Sequence, residues 1–597
     1  MAVEKLIVDH IDTWTTALQT RSTAGRGSSG KIDLYGIKKL RELILELAVR
    51  GKLVPQDPND EPASELLKRI AAEKAELVKQ GKIKKQKPLP EISEEEKPFE
   101  LPVGWEWVRL GDFTNIIRGI TFPGSEKAQT YSQGKIACLR TANVQEQIDW
   151  DDLIYISDHF VKREDQFLQE NDIVMSMANS RELVGKVALA SLPNHSKFTF
   201  GGFLSVLRPL FVNEQYLMAL LRCETYKSQL IESASQTTNI ANISLAKLNP
   251  LLVCLPPANE QTCIAKKLSE LMALCDQLEQ HSLSSLDAHQ QLVETLLTTL
   301  TDSQNADELT ENWARISEHF DTLFTTEASI DALKQTILQL AVMGKLVPQD
   351  SNDEPASELL KRIAQEKAQL VKDGKMKKQK PLPPISDEEK PFELPSGWVW
   401  CRLGELALKS EAGWSPQCEN TPRSGGQWGV LKISAVTWGE YQPEENKALP
   451  DHLSPREEFE VKENDFLISR ANTAELVARS VVVPEKTPGN LMLSDKIIRF
   501  EFSSLVSAHY ISLVNNSIFS RVYYKEVAGG TSSSMKNVSR NQVSELLIGL
   551  PGYHEQLKIV ENIAKYIQIC EALTSQIKSA QQTQLHLADA LTDAAIN

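Results

Sequence analysis

Cysteine is scarce in this chain, with eight in 597 residues, and no two of them are spaced as C-x-x-C. Most structural zinc sites use that spacing, so we expect none here, and isolated thiols fit a reducing compartment. The sequence also lacks any run of about 20 apolar residues, the length that a membrane-spanning helix needs. The first residues, MAVEKLIVDH, carry acids where a secretion signal has a basic and then an apolar segment. We therefore expect a cytoplasmic protein.

Familiar catalytic motifs are missing as well. The sequence contains neither H-E-x-x-H, nor G-x-S-x-G, nor the Asn-Pro-Pro-aromatic signature of amino-methyltransferases. The loop at 25–31 satisfies G-x-G-x-x-G and approaches a Walker A loop, but Ile32 stands where Ser or Thr would ligate Mg²⁺. The segment before this loop is predicted to be helical rather than a strand, so we interpret the loop as a flexible connector.

Basic residues do not predominate either, because 65 Lys and Arg face 80 Asp and Glu, for a net charge of −15. Contacts to phosphates dominate the affinity of most nucleic-acid-binding proteins, so this balance argues against such a function. However, residues 102–259 carry 14 basic against 16 acidic side chains, and residues 397–551 carry 16 against 18. These segments are nearly neutral, and reading base edges needs only a few side chains.

What the chain does have is an internal repeat. Residues 47–111 and 340–404 are identical at 54 of 65 positions, at an offset of 293. Both copies contain GKLVPQ, DEPASELL, a Pro-rich strap with KKQK, and GW-x-W-x-RLG. A segment that differs much more follows each copy and is closed by LP-x-x-x-EQ. Nearly identical frames around divergent inserts predict one scaffold that holds two different heads.

The spacing of apolar residues predicts two long helices, from about 259 to 300 and from about 556 to 595. They are expected to pack against each other along seams at Leu268, Leu271 and Leu278 and at Ile559, Ile563 and Ile567. The heads show short β-rich runs broken by turns, as α+β domains do.

We therefore expect an α+β protein with two heads separated by a pair of long antiparallel helices and related by a pseudo-two-fold axis. The predicted domains are a helical arm and strap (1–101), the first head (102–256), a long helix (257–300), a second arm and strap (301–396), the second head (397–551) and a second long helix (552–597).

Two charged segments leave alternatives open. The KKQK runs at 84–87 and 377–380 are followed closely by acidic clusters, which favours salt bridges or a subunit contact over phosphate contacts. Asp451, Glu460 and Lys462 fit the spacing of a metal-dependent nuclease, but the pattern is short and is absent from the other head. A charged, solvated loop is the favoured interpretation of that segment. A metal-dependent nuclease and a protein scaffold that does not read DNA are the alternative functions.

Together, the duplicated GKLVPQ and DEPASELL arms, the Pro-rich strap, the GW-x-W-x-RLG and LP-x-x-x-EQ boundaries and the long helices resemble the specificity subunit of type I restriction–modification enzymes. The arms look most like the B subfamily. The resemblance implies that each head is a target recognition domain that reads one half of a bipartite, asymmetric site on double-stranded DNA. It also implies that the frame docks two modification (methyltransferase) subunits and, through them, a restriction subunit. The chain itself would be non-catalytic and bind no metal or cofactor, with the methyl donor, ATP and Mg²⁺ held by partner subunits.

Readout in the major groove needs Arg, Lys, Asn, Gln, Ser or Thr on loops that are able to enter it. In the first head the candidates are Arg118, Thr121, Arg140, Thr141, Asn143, Asn179, Ser180, Arg181, Gln236, Thr237, Thr238, Asn239 and Asn242. In the second head they are Trp414, Arg423, Lys432, Ser434, Arg470, Asn472, Thr473, Gly529, Gly530, Thr531, Ser532, Ser533 and Lys536.

Each of these residues has an alternative role in turn chemistry, which is strongest for Asn179 and Asn472. The glycine pair at 529–530 would let the backbone approach a phosphate closely. The tryptophans of the two GW-x-W motifs, at 105, 107, 398 and 400, are instead predicted to anchor the base of each head by packing.

Overall fold

The structure, a computed structural model, describes residues 3–21, 31–193, 197–236, 240–437, 439–532 and 535–596. These residues form two compact units. The first unit takes the described residues up to Ser284 together with those from Gln581 onward, and the second takes residues 285–580. Within this described part of the chain, no helix is both long and apolar enough to cross a membrane.

The first frame consists of helices and one hairpin. Its elements are α1 (Val3–Asp9), α2 (Ile11–Thr16), β1 (Gln19–Arg21), β2 (Lys31–Asp33), α3 (Tyr35–Val49) and α4 (Ala63–Lys79). The prediction of a helix leading directly into the loop at 25–31 is wrong. The helix ends at Thr16, and β1 then pairs antiparallel with β2, so strand pairing closes the insertion at its base. Residues 25–30 of the loop lie outside the described residues.

The first head alternates short strands with short helices. Its elements are β3 (Glu106–Arg109), α5 (Leu110–Phe113), β4 (Thr114–Arg118), β5 (Lys135–Leu139), β6 (Ile154–Ser157), β7 (Ile173–Ser176), β8 (Ala178–Asn179), β9 (Val187–Leu189), β10 (Phe198–Phe200), β11 (Leu204–Pro209), α6 (Glu214–Arg222), α7 (Glu224–Ser233), β12 (Ser235–Gln236), β13 (Ala241–Asn242), α8 (Leu245–Leu248) and β14 (Leu252–Leu255). The strands form sheets in the orders β4-β11-β7-β9, β10-β5-β6, β12-β13-β8 and β14-β3.

A long helix and the second frame follow. Their elements are α9 (Ala258–Asp302), α10 (Ala306–Glu318), α11 (Phe320–Leu323), α12 (Glu327–Val342) and α13 (Ala356–Lys372). Helices α4 and α13 begin at the same position of the repeated DEPASELL motif, directly after its proline, where the fixed φ of proline favours a helix start.

The second head repeats the element order of the first. Its elements are β15 (Val399–Arg402), α14 (Leu403–Leu406), β16 (Ala407–Ala412), β17 (Gly429–Leu431), β18 (Asn446–Ala448), β19 (Phe466–Ser469), β20 (Ala471–Asn472), β21 (Ser480–Val482), β22 (Leu491–Met492), β23 (Ile497–Phe502), α15 (Ala508–Asn516), α16 (Ile518–Val527), β24 (Gly529–Ser532), β25 (Met535–Asn537), α17 (Arg540–Ser544) and β26 (Leu547–Leu550), with α18 (Tyr553–Ile596) after it. Its sheets have the orders β16-β23-β19-β21, β18-β17-β22, β20-β25-β24 and β15-β26, strand for strand those of the first head. The predicted common α+β fold is confirmed.

Each head has its core between the four-stranded and the three-stranded sheet. In the first head, Val174 and Val206 lie in the four-stranded sheet β4-β11-β7-β9, and Leu139 and Phe200 lie in the three-stranded sheet β10-β5-β6. All four residues belong to one buried cluster. Val174, Val206 and Phe200 are β-branched or aromatic, which are the residue types that favour strands. Full burial of such a side chain contributes about 1.5–3 kcal/mol to the free energy of unfolding.

The repeated motifs meet at the base of each head. The indole N–H of Trp105 donates to the carboxylate of Glu260 at 2.9 Å, and the Gln56 amide donates to the same carboxylate at 3.1 Å. Gln261 accepts the backbone N–H of Asn213, the residue that caps helix α6, at 2.9 Å. One hydrogen-bond network therefore joins the three motifs GKLVPQ, GW-x-W and LP-x-x-x-EQ. The second copy repeats it with Trp398, Gln349, Glu555, Gln556 and Ser507.

A buried arginine holds the Pro-rich strap against each head. Arg109, from the RLG motif, donates to the carbonyls of Pro90 and Glu91 on the strap and of Pro250 on the head. Its guanidinium also binds the carboxylate of Glu96 at 2.9 Å. In the second unit, Arg402 makes the equivalent contacts to Pro383, Pro384, Glu545 and Glu389. The strap is thus fixed along its head rather than free.

The two predicted long helices are present, with 45 residues in α9 and 44 in α18. Each unit contains the first part of one helix and the last part of the other, the distribution expected for antiparallel helices. In the second unit, residues of both helices join one buried cluster with α12, including Val293, Leu297, Cys570 and Leu573.

The predicted helix-to-helix seam is wrong for the first part of α18. Leu268 and Leu271 are buried, but their burial does not show that α18 covers them, so that half of the seam stays a prediction. Ile559 and Ile563, however, belong to a cluster formed with α12, α13 and the base of the second head. That stretch of α18 uses its apolar stripe to bind its own frame and head, because Ala341, Trp398 and Tyr510 supply the buried surface there.

Candidate nucleic-acid interface

Several predicted residues of the first head meet where its four-stranded sheet ends. Arg118, the last residue of β4, lies opposite Ser205 of β11. Met177, directly after β7, donates its backbone N–H to the carbonyl of Phe203 at 2.8 Å. We call this region the strand-end edge of the first head and define it by residues 118–121, 140, 177–181 and 201–203. Arg118, Thr121 and Arg181 on it are exposed.

Arg140 reaches this edge from the three-stranded sheet, because Gly201 donates its backbone N–H to the carbonyl of Leu139 at 2.9 Å. The guanidinium of Arg140 pairs with the carboxylate of Asp152 at 2.7 Å. The Asp152 side chain is 65% exposed, so water screens the ion pair. Arg140 can therefore leave Asp152 and bind a phosphate at little cost in free energy. Thr141, next in the chain, is half-buried.

A small sheet brings together three predicted segments that are far apart in the sequence. Asn179 of β8 lies opposite Ala241, and Asn242 of β13 lies opposite both Ala178 and Ser235. Asn242 is exposed, and Ser180 beside Asn179 is half-buried. Of the remaining predicted residues, Gln236 is described only by its backbone in β12, and Thr237, Thr238 and Asn239 lie outside the described residues.

Asn143 requires a correction. Its side chain is fully buried, donates to the carbonyls of Asp149 and Asp152, and accepts the backbone N–H of Arg140 at 2.8 Å. Because these bonds occupy its amide, Asn143 shapes the loop and presents nothing to a base. Asn179 also accepts a backbone N–H, from Ser180 at 2.9 Å, which is the turn chemistry expected as its alternative role.

The second head has the same edge with different side chains. Gly413 donates its backbone N–H to the carbonyl of Ser494 at 3.2 Å. The backbone N–H of Arg470 donates to the backbone carbonyl of Lys496 at 2.7 Å. The edge is defined here by residues 413–415, 432, 470–473 and 494–496. Arg470 and Lys496 are exposed, and the ammonium of Lys496 lies 3.4 Å from the carboxylate of Asp495.

Electrostatics at this edge favour a charged Asp495. Burial alone would raise the pKa of Asp495, but the hydroxyl of Ser415 and the charges of Lys496 and Arg470 lower it below its ordinary value. The lowered pKa keeps this carboxylate charged at neutral pH, beside the ammonium of Lys496.

The small sheet of the second head also joins predicted residues. Lys536 lies opposite Asn472 in the register, and its ammonium donates to the carbonyl of Gly530 at 2.8 Å. Gly530 has φ of 123°, a conformation that only glycine adopts easily. Gly529 begins β24. Side chains of Thr531 and Ser532 are not described, and Ser533 lies outside the described residues.

Four predicted residues of the second head are engaged in local packing. Trp414 stacks under the guanidinium of Arg456 at 4.3 Å and contacts a buried cluster. The Ser434 hydroxyl donates to Glu445 at 2.6 Å, and the ammonium of Lys432 lies 3.7 Å from the same carboxylate. Arg423 donates to the carbonyl of Gln427 at 3.1 Å. These contacts tie the four side chains to their own loops, and direct contact of these residues with DNA stays a prediction.

Asn472, like Asn143, requires a correction. It is buried, donates to the hydroxyl of Thr437 at 3.2 Å, and accepts the backbone N–H of Thr473 at 2.9 Å. Thr473 itself is half-buried. The turn role expected as the alternative for Asn472 is therefore the one that the geometry supports.

The segment proposed as a nuclease alternative is a surface loop. Asp451 and Lys462 are exposed, and the carboxylate of Glu460 accepts the backbone N–H of Asn490 at 2.9 Å. Among the residues that the structure describes, no three His, Cys, Asp or Glu side chains are grouped so that they could hold a metal ion.

The two KKQK runs are exposed along their lengths, at residues 84–87 and 377–380. In the described chain their lysines make no ion pair, so the prediction of salt bridges within the chain is wrong. The nearby acids have other partners, since Glu96 binds Arg109 and Glu94 binds Lys97. A contact with another subunit or with phosphate stays the prediction for these lysines.

Two exposed residues on these edges, Phe203 and Lys496, are not among the residues predicted from the sequence. The residue types chosen for base readout excluded phenylalanine, and Lys496 follows an acid. The offset of 293 that relates the frames also relates these two positions, but it holds for every aligned pair and does not single them out.

Residues 102–288 match the family described as "Type I restriction modification DNA specificity domain". The specificity subunit of the type I restriction enzyme EcoEI of Escherichia coli is 54% identical over 610 aligned residues, which cover 100% of both chains. The specificity subunit of EcoAI, also of Escherichia coli, is 51% identical over 607 residues with the same coverage. Among solved structures, the HsdS subunit from Thermoanaerobacter tengcongensis aligns at 16% identity and a TM-score of 0.39, covering 84% of this chain and 98% of that one.

Proposed function

The chain belongs to the specificity subunits of type I restriction enzymes, and we propose that each of its heads reads one half of a bipartite, asymmetric site on double-stranded DNA. Specificity subunits are the non-catalytic, DNA-recognising members of a restriction–modification complex. Methylation and cleavage are therefore reactions of partner subunits, which hold the methyl donor, ATP and Mg²⁺.

The observation that carries this proposal is the pair of strand-end edges. Both heads place the same backbone positions at the ends of the same strands, but the side chains differ. Arg118 ends β4 where Ala412 ends β16, and Arg181 corresponds to Ala474. Equal backbones with unequal side chains suit two domains that read different base sequences, because specificity comes from side chains at base edges.

The sparse charge of the edges has a consequence for affinity. Each described edge exposes only a few basic side chains, such as Arg118 and Arg181 in one head and Arg470 and Lys496 in the other. Each phosphate contact contributes a slope of about −0.9 to the dependence of log K on log salt. The chain alone should therefore bind DNA weakly, and the assembled complex should show a steeper salt dependence than the free chain.

The repeated frame is proposed to dock two modification subunits and, through them, a restriction subunit. Helices α4 and α13 expose the same side chains at equivalent positions, with Glu65 and Lys68 in one and Glu358 and Lys361 in the other. Two copies of one surface suit two copies of one partner. The KKQK runs lie beside these helices in the sequence and extend the duplicated surface.

Mapping methylated positions genome-wide, in cells with and without this chain, tests the proposed function. Methylation at an asymmetric, bipartite sequence only when the chain is present supports it. The scaffold alternative expects methylation without sequence preference. The nuclease alternative expects Mg²⁺-dependent cutting by the purified chain that Asp451→Ala abolishes. Calorimetry with the purified chain and the methyl donor should show no binding, and measurable heat of binding would contradict the assignment of the donor site to the partners.

A further inference from the structure

Phe203 and Lys496 occupy the same backbone position in the two heads. Met177 donates its N–H to the carbonyl of Phe203 at 2.8 Å, and Arg470 donates to that of Lys496 at 2.7 Å. The turns before them are closed in the same way, by bonds from Leu204 to Gly201 at 2.8 Å and from Ile497 to Ser494 at 3.1 Å. The fold therefore presents one position with an aromatic ring in one head and an ammonium in the other.

Both side chains point into solvent, although the residues that follow them are fully buried. Phe203 is 68% exposed and Leu204 is 0% exposed. The Lys496 side chain is 55% exposed, while Ile497 is 0% exposed. Alternation along a strand explains the reversal of direction, but not why a large apolar ring is placed on the outside. A single exposed apolar side chain is ordinary on a protein surface, so the case for a contact rests on the equivalent position of Lys496 and on the exposed Arg118 and Arg181 of the same edge.

The turn that carries Phe203 is held tightly. A Cβ atom on Gly119 would lie 2.1 Å from the carbonyl oxygen of Gly201, and one on Gly202 would lie 2.9 Å from the hydroxyl of Thr121. In the second head, a Cβ on Gly413 would lie 1.9 Å from the carbonyl oxygen of Leu493. The same close crossing of two strands supports the position in each head. The backbone that carries the side chain is therefore held in place in each head, as base readout needs.

The surroundings of the two side chains differ in a way that matches their chemistry. Phe203 follows two glycines, at 201 and 202, so no neighbouring side chain of its own turn covers the ring. Lys496 follows Asp495, whose carboxylate lies 3.4 Å from its ammonium. The ring is free to make an apolar contact, whereas the ammonium is oriented by its neighbour and keeps hydrogen-bonding capacity to spare.

We propose that this position determines specificity in both heads, with Phe203 contacting the methyl group of a thymine and Lys496 donating to the O6 and N7 acceptors of a guanine. In the major groove, thymine alone presents a methyl group, and guanine presents two adjacent acceptors. The proposal rests on the proposed function, because it names which residue of each head reads a base. In each head it assigns one base contact to the same backbone position, with a different side chain and a different base in each.

The test uses the assembled methyltransferase complex and synthetic duplexes that carry its mapped site. Phe203→Ala is compared with Phe211→Ala, which removes a ring of similar exposure (59%) beyond the opposite end of strand β11. Loss of contact with one methyl group lowers affinity about fourfold. Phe203→Ala should therefore weaken binding about fourfold and relax one thymine position of one half-site, while Phe211→Ala should leave affinity and site unchanged.

Replacing that thymine by deoxyuridine removes the methyl group from the DNA and leaves the protein unchanged. Deoxyuridine should weaken the wild-type complex by the same factor and should not weaken the Phe203→Ala complex further. In the other half-site, Lys496→Met should relax one guanine position, and 7-deazaguanine there, which lacks the N7 acceptor but keeps O6, should reproduce part of the loss. Phe203→Leu keeps an apolar side chain in the turn and should retain the thymine preference.

The outcomes separate this inference from the proposed function. If the wild-type complex methylates without a bipartite site, the proposed function itself fails. If the wild-type complex reads a bipartite site that Phe203→Ala and Lys496→Met leave unchanged, only the present inference fails. A uniform loss of affinity in Phe203→Ala, equal for thymine and deoxyuridine, would also overturn it, because Phe203 would then contact DNA without reading a base.

Discussion

Trp105 donates its indole N–H to the carboxylate of Glu260 over 2.9 Å, although the two residues are 155 positions apart in the sequence. Trp398 repeats the contact with Glu555 at 3.0 Å. Each pair joins the residue directly before the first strand of a head to the first turn of the long helix that follows the head. The pairs therefore fix where a head of variable sequence begins and ends on a frame of constant sequence.

Burial raises the pKa of Glu260 above its ordinary value, despite the hydrogen bonds from Gln56 and Trp105. A carboxyl group with a raised pKa stabilises the fold fully only below the ordinary glutamate pKa of about 4.3, and that contribution is lost as the pH rises through the raised value. Glu260→Gln removes the titration, so we expect the melting temperature of the variant to fall less than that of the wild type from pH 4 toward neutrality. Glu95→Gln, which removes an exposed charge, is the control. Parallel profiles for wild type and Glu260→Gln would contradict this role.

The arginine that holds each strap is expected to be irreplaceable by lysine. Arg109 is 5% exposed and uses its planar group to reach three carbonyls and one carboxylate, which an ammonium cannot do at once. Arg109→Lys should lower the free energy of unfolding in urea by about 2–4 kcal/mol, because hydrogen bonds to a charged group are lost in a buried place.

Arg69→Lys provides the matched control for that substitution. Arg69 pairs with Glu61 at the surface, where both side chains are about half exposed, so the change should cost no more than about 0.5 kcal/mol. Hydrogen exchange of the strap amides at 91–97 should accelerate in Arg109→Lys and not in Arg69→Lys. Equal effects of the two substitutions would show that the strap is not held by Arg109.

We predict that the two long helices set the gap between the half-sites. Both pass from one unit to the other, α9 between residues 284 and 285 and α18 between residues 580 and 581. Four residues inserted in each helix at those points add about 6 Å, close to one turn. At about 3.4 Å per base pair, the preferred gap should grow by one or two pairs, with both half-sites unchanged.

Selection of methylated sites from a library with randomised gap lengths measures this gap. Four residues inserted after Gly81, a turn with open space around it, form the control and should leave the gap as it is. A constant gap after the paired helix insertion would mean that the helices do not set the spacing.

The class of fold was predictable because the signals were local or repeated. Helical spacing revealed α9 and α18, and the repeat predicted that the two heads share one fold. The contacts of the motifs were not predictable, since Gln56 meets Glu260 across 204 positions and nothing in either motif names its partner. The seam of α18 was misassigned for the same reason, because an apolar stripe does not reveal which surface covers it.

The candidate interface was predictable in outline only. Asn179, Asn242 and Arg118 were selected by residue type, and the fold does bring them to one end of a head. Burial cannot be inferred from residue type, however. Asn143 was therefore selected, although its side-chain amide donates its hydrogen bonds to carbonyls of its own loop. Phe203 was passed over for the opposite reason, because its exposure is decided by the turn that precedes β11.

The central claim is that each head reads one half-site independently, and exchanging one head tests it most directly. Residues 102–256 are replaced by the corresponding head of another specificity subunit. Gln56, Glu260 and Gln261 of the hydrogen-bond network at the base of the head stay in place. Methylated positions are then mapped in cells that express the hybrid. The account predicts that one half of the methylated site is replaced and the other half, with the gap, is retained. A change in both halves together, or in neither, would contradict it.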